Sequence, residues 1–288
     1  MSAHPTEGSP LLDIRGLTVS YPGPEGPVQV VCGVDLAVAA GERVALVGES
    51  GSGKSVTARS VLRLDPEART GGRILLEGDD VLEMAPREVR RVRGARAGLV
   101  FQDPLASLNP VKTVGWQITQ PLRIRGVGRR EARRRAVDLL GRLGVADPGR
   151  RFDDYPHQFS GGMRQRVVIA IAVIAEPRLL IADEPTTALD VRVQAQVLEL
   201  LEGLARERGM AVLLITHDLG IVAGFAQRVA VMRHGLIVEE ADVDRLYTAP
   251  SHPYTRSLLD AVPRIGDRPG RRLGAGAPVP AASEGEAL

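Results

Sequence analysis

Apolar and polar positions alternate twice near the start of the chain. Leu17, Val19 and Tyr21 flank Thr18 and Ser20, and Val34, Leu36 and Val38 repeat the period of two. Both stretches predict half-buried strands of a small antiparallel sheet, and the PGPEGP stretch between them, Pro22 to Pro27, predicts a turn. The pattern then changes. Val44 to Val47, Leu99 to Phe101, Leu179 to Ala182 and Val212 to Ile215 are continuous apolar runs, as expected for strands covered on both faces. Helical periods separate them. Ala136, Leu139, Leu140 and Leu143 share one face, and Val193, Val197, Leu200, Leu201 and Leu204 share another. Strands alternating with helices imply an α/β fold with a parallel sheet core.

The stretch 103–176 is mostly helical and interrupts the strand series, so it reads as an inserted helical subdomain. The expected organisation is a flexible N-terminus at 1–10, then a first core part carrying the β subdomain at 11–102. The helical subdomain at 103–176 follows, then a second core part at 177–248 and an extension at 249–288 that ends in a loose Pro/Gly/Ala-rich tail. No internal repeat is visible.

Composition narrows the class. The 288 residues carry 37 basic and 35 acidic side chains, a net charge of +2, too even for a protein whose main task is coating nucleic acid. Apolar residues at 44% exclude a wholly disordered chain. The best apolar run, Val167 to Ala175, has nine residues, against roughly 18 for a spanning helix. The opening MSAHPTEGSP has neither a basic head nor an apolar core, so no secretory signal is expected. Cys32 is the only cysteine, which excludes an intrachain disulfide and an all-cysteine metal or iron–sulfur site; its apolar neighbours predict a small buried side chain. Lys54 and Lys112 are the only lysines, so the place of Lys54 is conspicuous.

That place is Gly48-Glu49-Ser50-Gly51-Ser52-Gly53-Lys54-Ser55, a full G-x-x-x-x-G-K-[ST] pattern between a buried strand and the apolar helical run that Val56 begins. Glycines let the backbone curl so that N–H groups face phosphate oxygens, the following helix adds its N-terminal dipole, Lys54 adds charge, and Ser55 offers a hydroxyl to Mg²⁺. Leu179 to Glu184 is an apolar strand ending in two acids. Asp183 at the strand end can hold Mg²⁺ through its water shell, and Glu184 beyond it can polarise an attacking water. Ser160-Gly161-Gly162-Met163 opens a second apolar helix with an exposed N-terminus, Ser160 serving as its cap. One nucleotide does not need two such helix starts, so the second can serve a nucleotide held by a partner.

Together these residues resemble the ATP-binding cassette (ABC) ATPases, with a P-loop NTPase core, over about 11–262. Gly48–Ser55 resembles the Walker A loop and Leu179–Glu184 the Walker B strand. Ser160–Met163 resembles the signature, with Phe159 before it and Met163 where Gln is usual. Gln102 resembles the Q-loop residue, Ala188-Leu189-Asp190 the D-loop, His217 the switch histidine, and Tyr21 the aromatic that stacks on adenine. The resemblance implies a head-to-tail pair of cassettes with ATP and Mg²⁺ between Walker A of one and the signature of the other. Lys54 and the loop amides would bind phosphates. Ser55, Asp183 and Gln102 would organise Mg²⁺, Glu184 would be the general base, His217 would align the water, and Asp190 would communicate across the dimer.

Phe101 to Pro110, Tyr155 to Arg166, Thr186 to Asp190 with Gln194-Ala-Gln196, and His252-Pro-Tyr-Thr255 with Arg256 to Leu259 resemble the peptide-importer branch. The Phe-Ser-Gly-Gly-Met form resembles the first of its two ATPase subunits, so a heterodimer is expected rather than a homodimer. The implied partners are a second ATPase, two integral membrane permease subunits and, indirectly, an extracytoplasmic solute-binding protein, with no nucleic acid. The implied place is peripheral, on the cytoplasmic face of the cell membrane. The iron–sulfur cysteines of many first subunits are absent, and Ala241 stands where Gly is usual. A soluble ABC ATPase of DNA repair or ribosomes, and an export or resistance ATPase, are the alternatives. The seven arginines between Arg123 and Arg135 read as a solvated helix face, with docking to a membrane subunit or the anionic leaflet as alternatives.

Overall fold

The computed structural model describes residues 9–187 and 190–261. The expected N-terminal flexibility falls largely, and the loose tail wholly, outside the described residues, as do Ala188 and Leu189.

Strands β1 (Leu12–Tyr21) and β2 (Val28–Val38) pair antiparallel, with Leu12 opposite Val38 and Tyr21 opposite Val28. β1 starts before the alternating stretch because its inward residues are Leu12, Ile14, Leu17 and Val19. The register shifts between Ile14 and Leu17, and the extra residue of this irregularity keeps all four apolar side chains on one face while breaking the period of two. Cys32 is exposed, contrary to the expectation of burial: Val31 and Val34 take the inward positions around it.

β3 (Arg43–Val47) opens a second sheet and runs through the glycine loop into α1 (Lys54–Val61). β4 (Arg69–Leu76) and the short β5 (Asp79–Asp80) return to the first sheet, whose order is β2-β1-β4-β5. After α2 (Pro86–Val92), β6 (Ala97–Val100) joins the second sheet; it stops one residue short of Phe101, which is exposed. The helical insertion follows: α3 (Pro104–Ser107), α4 (Val114–Ile124), α5 (Arg129–Arg142), α6 (Pro148–Arg151), a 3-10 turn at Pro156–Gln158 and α7 (Gly161–Val173). The chain returns through β7 (Leu179–Asp183), α8 (Val191–Arg208), β8 (Ala211–Thr216), α9 (Leu219–Val222), β9 (Arg228–Arg233) and β10 (Leu236–Asp242). It closes with α10 (Val243–Thr248) and α11 (Pro253–Asp260).

The second sheet has the order β10-β9-β3-β8-β7-β6, parallel except for the β9–β10 pair. Successive residues of its central strands serve two cores. Ala45, Val47, Leu180, Ala182, Val212 and Leu214 pack toward the helical layer; Val44, Leu46, Leu179, Ile181, Leu213 and Ile215 pack toward α1 and the first sheet. This double burial is why these strands are apolar without interruption, each full-sized side chain contributing about 1.5–3 kcal/mol. Val167 to Ala170 are likewise all buried within α7, so that run is core. Among the described residues no helix is long and apolar enough to cross a membrane.

The topology also sets the site. β3, β8 and β7 are neighbours and parallel, so the glycine loop, His217 and the Asp183–Glu184 pair all leave from the same edge, the carboxyl ends where ligands of such sheets bind.

Candidate functional site

The glycine loop is squeezed between the two sheets. A Cβ on Gly48 would lie 2.1 Å from Met232 O of β9. Gly53 has φ +106° and would place a Cβ 2.9 Å from Val30 O of β2, so neither position accepts a side chain. Glu49, Ser50 and Gly51 form an exposed crest, whereas Ser52, Gly53 and Lys54 are buried. The loop curls around its own lysine: Lys54 Nζ donates to Gly48 O at 2.7 Å and to Glu49 O at 2.8 Å. Burial draws the Lys54 ammonium below the ordinary lysine range against the opposing pull of Glu184, Asp183 and Glu49. Ser52 Oγ is buried and has no hydrogen-bond partner. A curled glycine loop at a helix N-terminus, an ammonium and an unspent hydroxyl fit a polyphosphate.

β7 delivers the acids. Ser55 Oγ donates to Asp183 Oδ1 at 2.7 Å, and Asp183 is only 4% exposed. Burial raises the Asp183 carboxyl above the usual range, although the Ser55 bond and the Arg59 charge oppose it. The next residue turns sharply. Glu184 has φ +47°, a left-handed backbone that costs a residue with a side chain about 1–3 kcal/mol. Its N–H donates to Ile215 O at 2.9 Å, which holds the turn.

Three groups converge on the Glu184 carboxylate. Gln102 Nε2 donates to Oε2 at 2.9 Å, Thr187 Oγ1 donates to the same oxygen at 2.8 Å, and His217 Nδ1 lies 3.2 Å from Oε1. Burial pushes this carboxyl up, but the Thr187 and His217 bonds and the His217 and Lys54 charges outweigh it and hold the group below the usual range. The structure therefore brings together Lys54, Ser55, Gln102, Asp183, Glu184 and His217, which come from four separate stretches of sequence. An ionised carboxylate fixed by three neighbours beside a phosphate loop can accept a proton from water. The hydroxyl of Ser55, the Asp183 carboxylate and the Gln102 amide are hard oxygen donors of the kind Mg²⁺ takes, one or two carboxylates sufficing when substrate phosphates complete the shell. Among the described residues no group of three or more His, Cys, Asp or Glu could hold a metal without such help.

The remaining expected residues sit elsewhere. Ser160 caps α7, its hydroxyl accepting from Met163 N at 3.4 Å. Met163 packs against the helical-side core, and Ser160 and Gly161 are exposed. The signature makes no hydrogen bond to the glycine loop among the described residues. It touches α8 instead: a Cβ on Gly162 would fall 2.9 Å from Val193 Cγ1. Asp190 caps α8 by accepting from Val193 N at 3.0 Å, so signature and Asp190 share one neighbour. Tyr21 is half-buried at the end of β1 and donates through Oη to Asp65 Oδ2 at 2.6 Å; Asp65 also pairs with Arg59 of α1. Val56 lies half-buried on α1 against the sheet-side core. Two contributors were not singled out from sequence. Thr187 lies three residues past Glu184, and Tyr254 Oη accepts from Glu49 N at 3.0 Å.

Similarity to known proteins agrees with this geometry. Residues 31–187 match the ABC transporter family, and residues 238–285 match the oligopeptide/dipeptide transporter C-terminal region. The chain is 51% identical over 257 residues to a probable peptide ABC transporter ATP-binding protein of Sinorhizobium fredii, covering 88% of this chain and 77% of that one. It is 49% identical over 262 residues to a putative peptide import ATP-binding protein of Brucella abortus, covering 90% and 79%. A dimeric ATP-binding cassette solved in a post-hydrolysis state with ADP and Pi superposes with a TM-score of 0.73 at 28% identity, covering 81% of this chain and 98% of that one. Fold and site define a P-loop ATPase of α/β architecture. The chain belongs to the ABC transporter family as an ATP-binding, ATP-hydrolysing subunit, in the group whose members are named for peptide transport.

Proposed function

We propose that this chain powers the import of di- and oligopeptides, or related small solutes, as a peripheral ATPase on the cytoplasmic face of a permease with two integral membrane subunits. The observation that carries the reading is the match of residues 238–285 to the oligopeptide/dipeptide transporter C-terminal region, after the residues gathered at the nucleotide site. The peptide-named relatives favour it over the DNA-repair, ribosomal and export alternatives. Phe101, Leu105, Val111 and Trp116 are 42–73% exposed around α3 and the start of α4. These exposed apolar side chains near Gln102 in sequence support docking of a membrane subunit there.

In this reading Lys54 and the amides of the glycine loop other than that of Glu49, which Tyr254 engages, hold the phosphates and Tyr21 supports the adenine. Ser55, Asp183 and Gln102 hold Mg²⁺, which when bound neutralises phosphate charge. Glu184 takes the proton of the attacking water while Gln102, Thr187 and His217 fix its carboxylate. Ser160, Gly161, Gly162 and Met163 close on the nucleotide of a second ATPase, and Asp190 lies at the same interface. Met163 in place of the usual Gln supports a heterodimer whose other member carries that Gln. A solute-binding protein outside the membrane delivers the cargo.

The test is purification of the tagged full chain from its own membranes, joined to an uptake assay with labelled peptides. Two integral membrane proteins and a second ATPase should copurify, and uptake should stop when this chain is deleted. Copurification with ribosomes or DNA, or undiminished peptide uptake, would overturn the proposal.

A further inference from the structure

The peptide bond between Gly48 and Glu49 is held at both ends. Its carbonyl accepts from Lys54 Nζ at 2.7 Å, and its N–H donates to Tyr254 Oη at 3.0 Å. The C=O and N–H of a trans peptide point to opposite sides, so this pair of bonds fixes the rotation of the whole plane. Gly48 would otherwise let it turn freely, having no Cβ to resist.

The tyrosine that supplies the outer bond lies 205 residues from Glu49, on α11. It is itself rigidly placed. Tyr254 is 5% exposed, and the Arg233 guanidinium lies 4.7 Å from its ring centroid. The Glu239 carboxylate of β10 accepts from Ser251 N and Ser251 Oγ at 2.7 Å each and from His252 N at 2.9 Å. His252 Nδ1 accepts from Tyr254 N at 3.1 Å and caps the helix. A chain of bonds thus runs from β10 through the start of α11 to the phosphate loop.

We propose that Tyr254 is a positioning residue of the ATP site: its hydroxyl holds the Gly48–Glu49 peptide with the carbonyl toward Lys54, so that the loop is preshaped for phosphate before nucleotide arrives. The inference rests on the ATPase reading and deepens it, because it makes the C-terminal extension a working part of the nucleotide site. Without the hydroxyl the plane can turn, Lys54 loses one of its two carbonyl partners, and nucleotide binding must order the loop as well as fill it.

The test is Tyr254→Phe in the full chain, which keeps the ring, its packing and the Arg233 contact. The Kd for ATP should rise about three- to tenfold, the cost of one neutral hydrogen bond. The melting temperature and the kcat at saturating ATP should stay within error. Amide exchange over residues 48–53 should quicken in the nucleotide-free protein. A Kd within twofold of the unmodified chain, exchange that does not change, or an affinity loss that merely follows a fall in melting temperature would overturn the proposal. An unmodified chain that neither binds nor hydrolyses ATP would overturn the ATPase reading and this inference together.

Discussion

Glu184 concentrates the chemistry in one side chain, and its backbone shows the cost. A left-handed φ of +47° is held by Ile215 O, and the turn aims the carboxylate at Gln102, Thr187 and His217. Lys54 makes the complementary case. Its Nζ donates to two loop carbonyls at 2.7 and 2.8 Å, which keep the buried cation satisfied and fixed in place at the phosphate loop. Lys54→Ala should weaken ATP binding by about ten- to a hundredfold, the worth of a hydrogen bond to a charged group; calorimetric titration showing unchanged affinity would contradict it. Lys54 was legible because the phosphate loop is one contiguous pattern, and Glu184 because it closes an apolar strand beside Asp183, whereas Gln102 and His217 were read only through the family resemblance. Thr187 was not legible, because only the turn after Glu184 brings its hydroxyl back to the carboxylate. Nor was Tyr254, because no local period announces a contact made across 205 residues.

Among the elements, the buried strands were the easiest to read. Their two-faced burial leaves nothing but apolar side chains in Leu179 to Ala182 and Val212 to Ile215. β1 was read short because the register shift near Gly16 breaks its alternation, and Cys32 was misread because apolar neighbours do not reveal which way a strand residue faces. The docking of α11 was invisible from sequence, since Glu239 looks like an ordinary charge on an edge strand. In the fold, partial burial works to raise its carboxyl, but the donors of Ser251 and His252, with the Thr255 hydroxyl nearby, bring it down from 4.5 to about 2. A folded carboxyl below its unfolded value stabilises above the unfolded value, and that share is lost as pH falls through the window from about 4.5 to about 2. Glu239→Gln should therefore lower the melting temperature at neutral pH and make its decline across that window shallower. Equal melting temperatures at pH 7 would show that the clamp on α11 contributes nothing.

At the scale of the whole molecule, the proposed reading divides the ATP site into two halves. The loop, the acids and His217 gather at the carboxyl edge of the parallel sheet, whereas the start of α7, beside Asp190 and Val193, is exposed and makes no hydrogen bond to the glycine loop among the described residues. That division is the physical argument for a second ATPase, and the exposed apolar side chains from Phe101 to Trp116 are the argument for a membrane subunit. The most direct measurement is ATP turnover of Glu184→Gln against the unmodified chain, in the purified permease assembly, with ATP binding measured in parallel. Retained ATP binding with turnover reduced by about 10²–10⁴-fold is the predicted result, the range for a positioned general base; near-normal hydrolysis by the variant would contradict the assignment of Glu184 and the mechanism built on it.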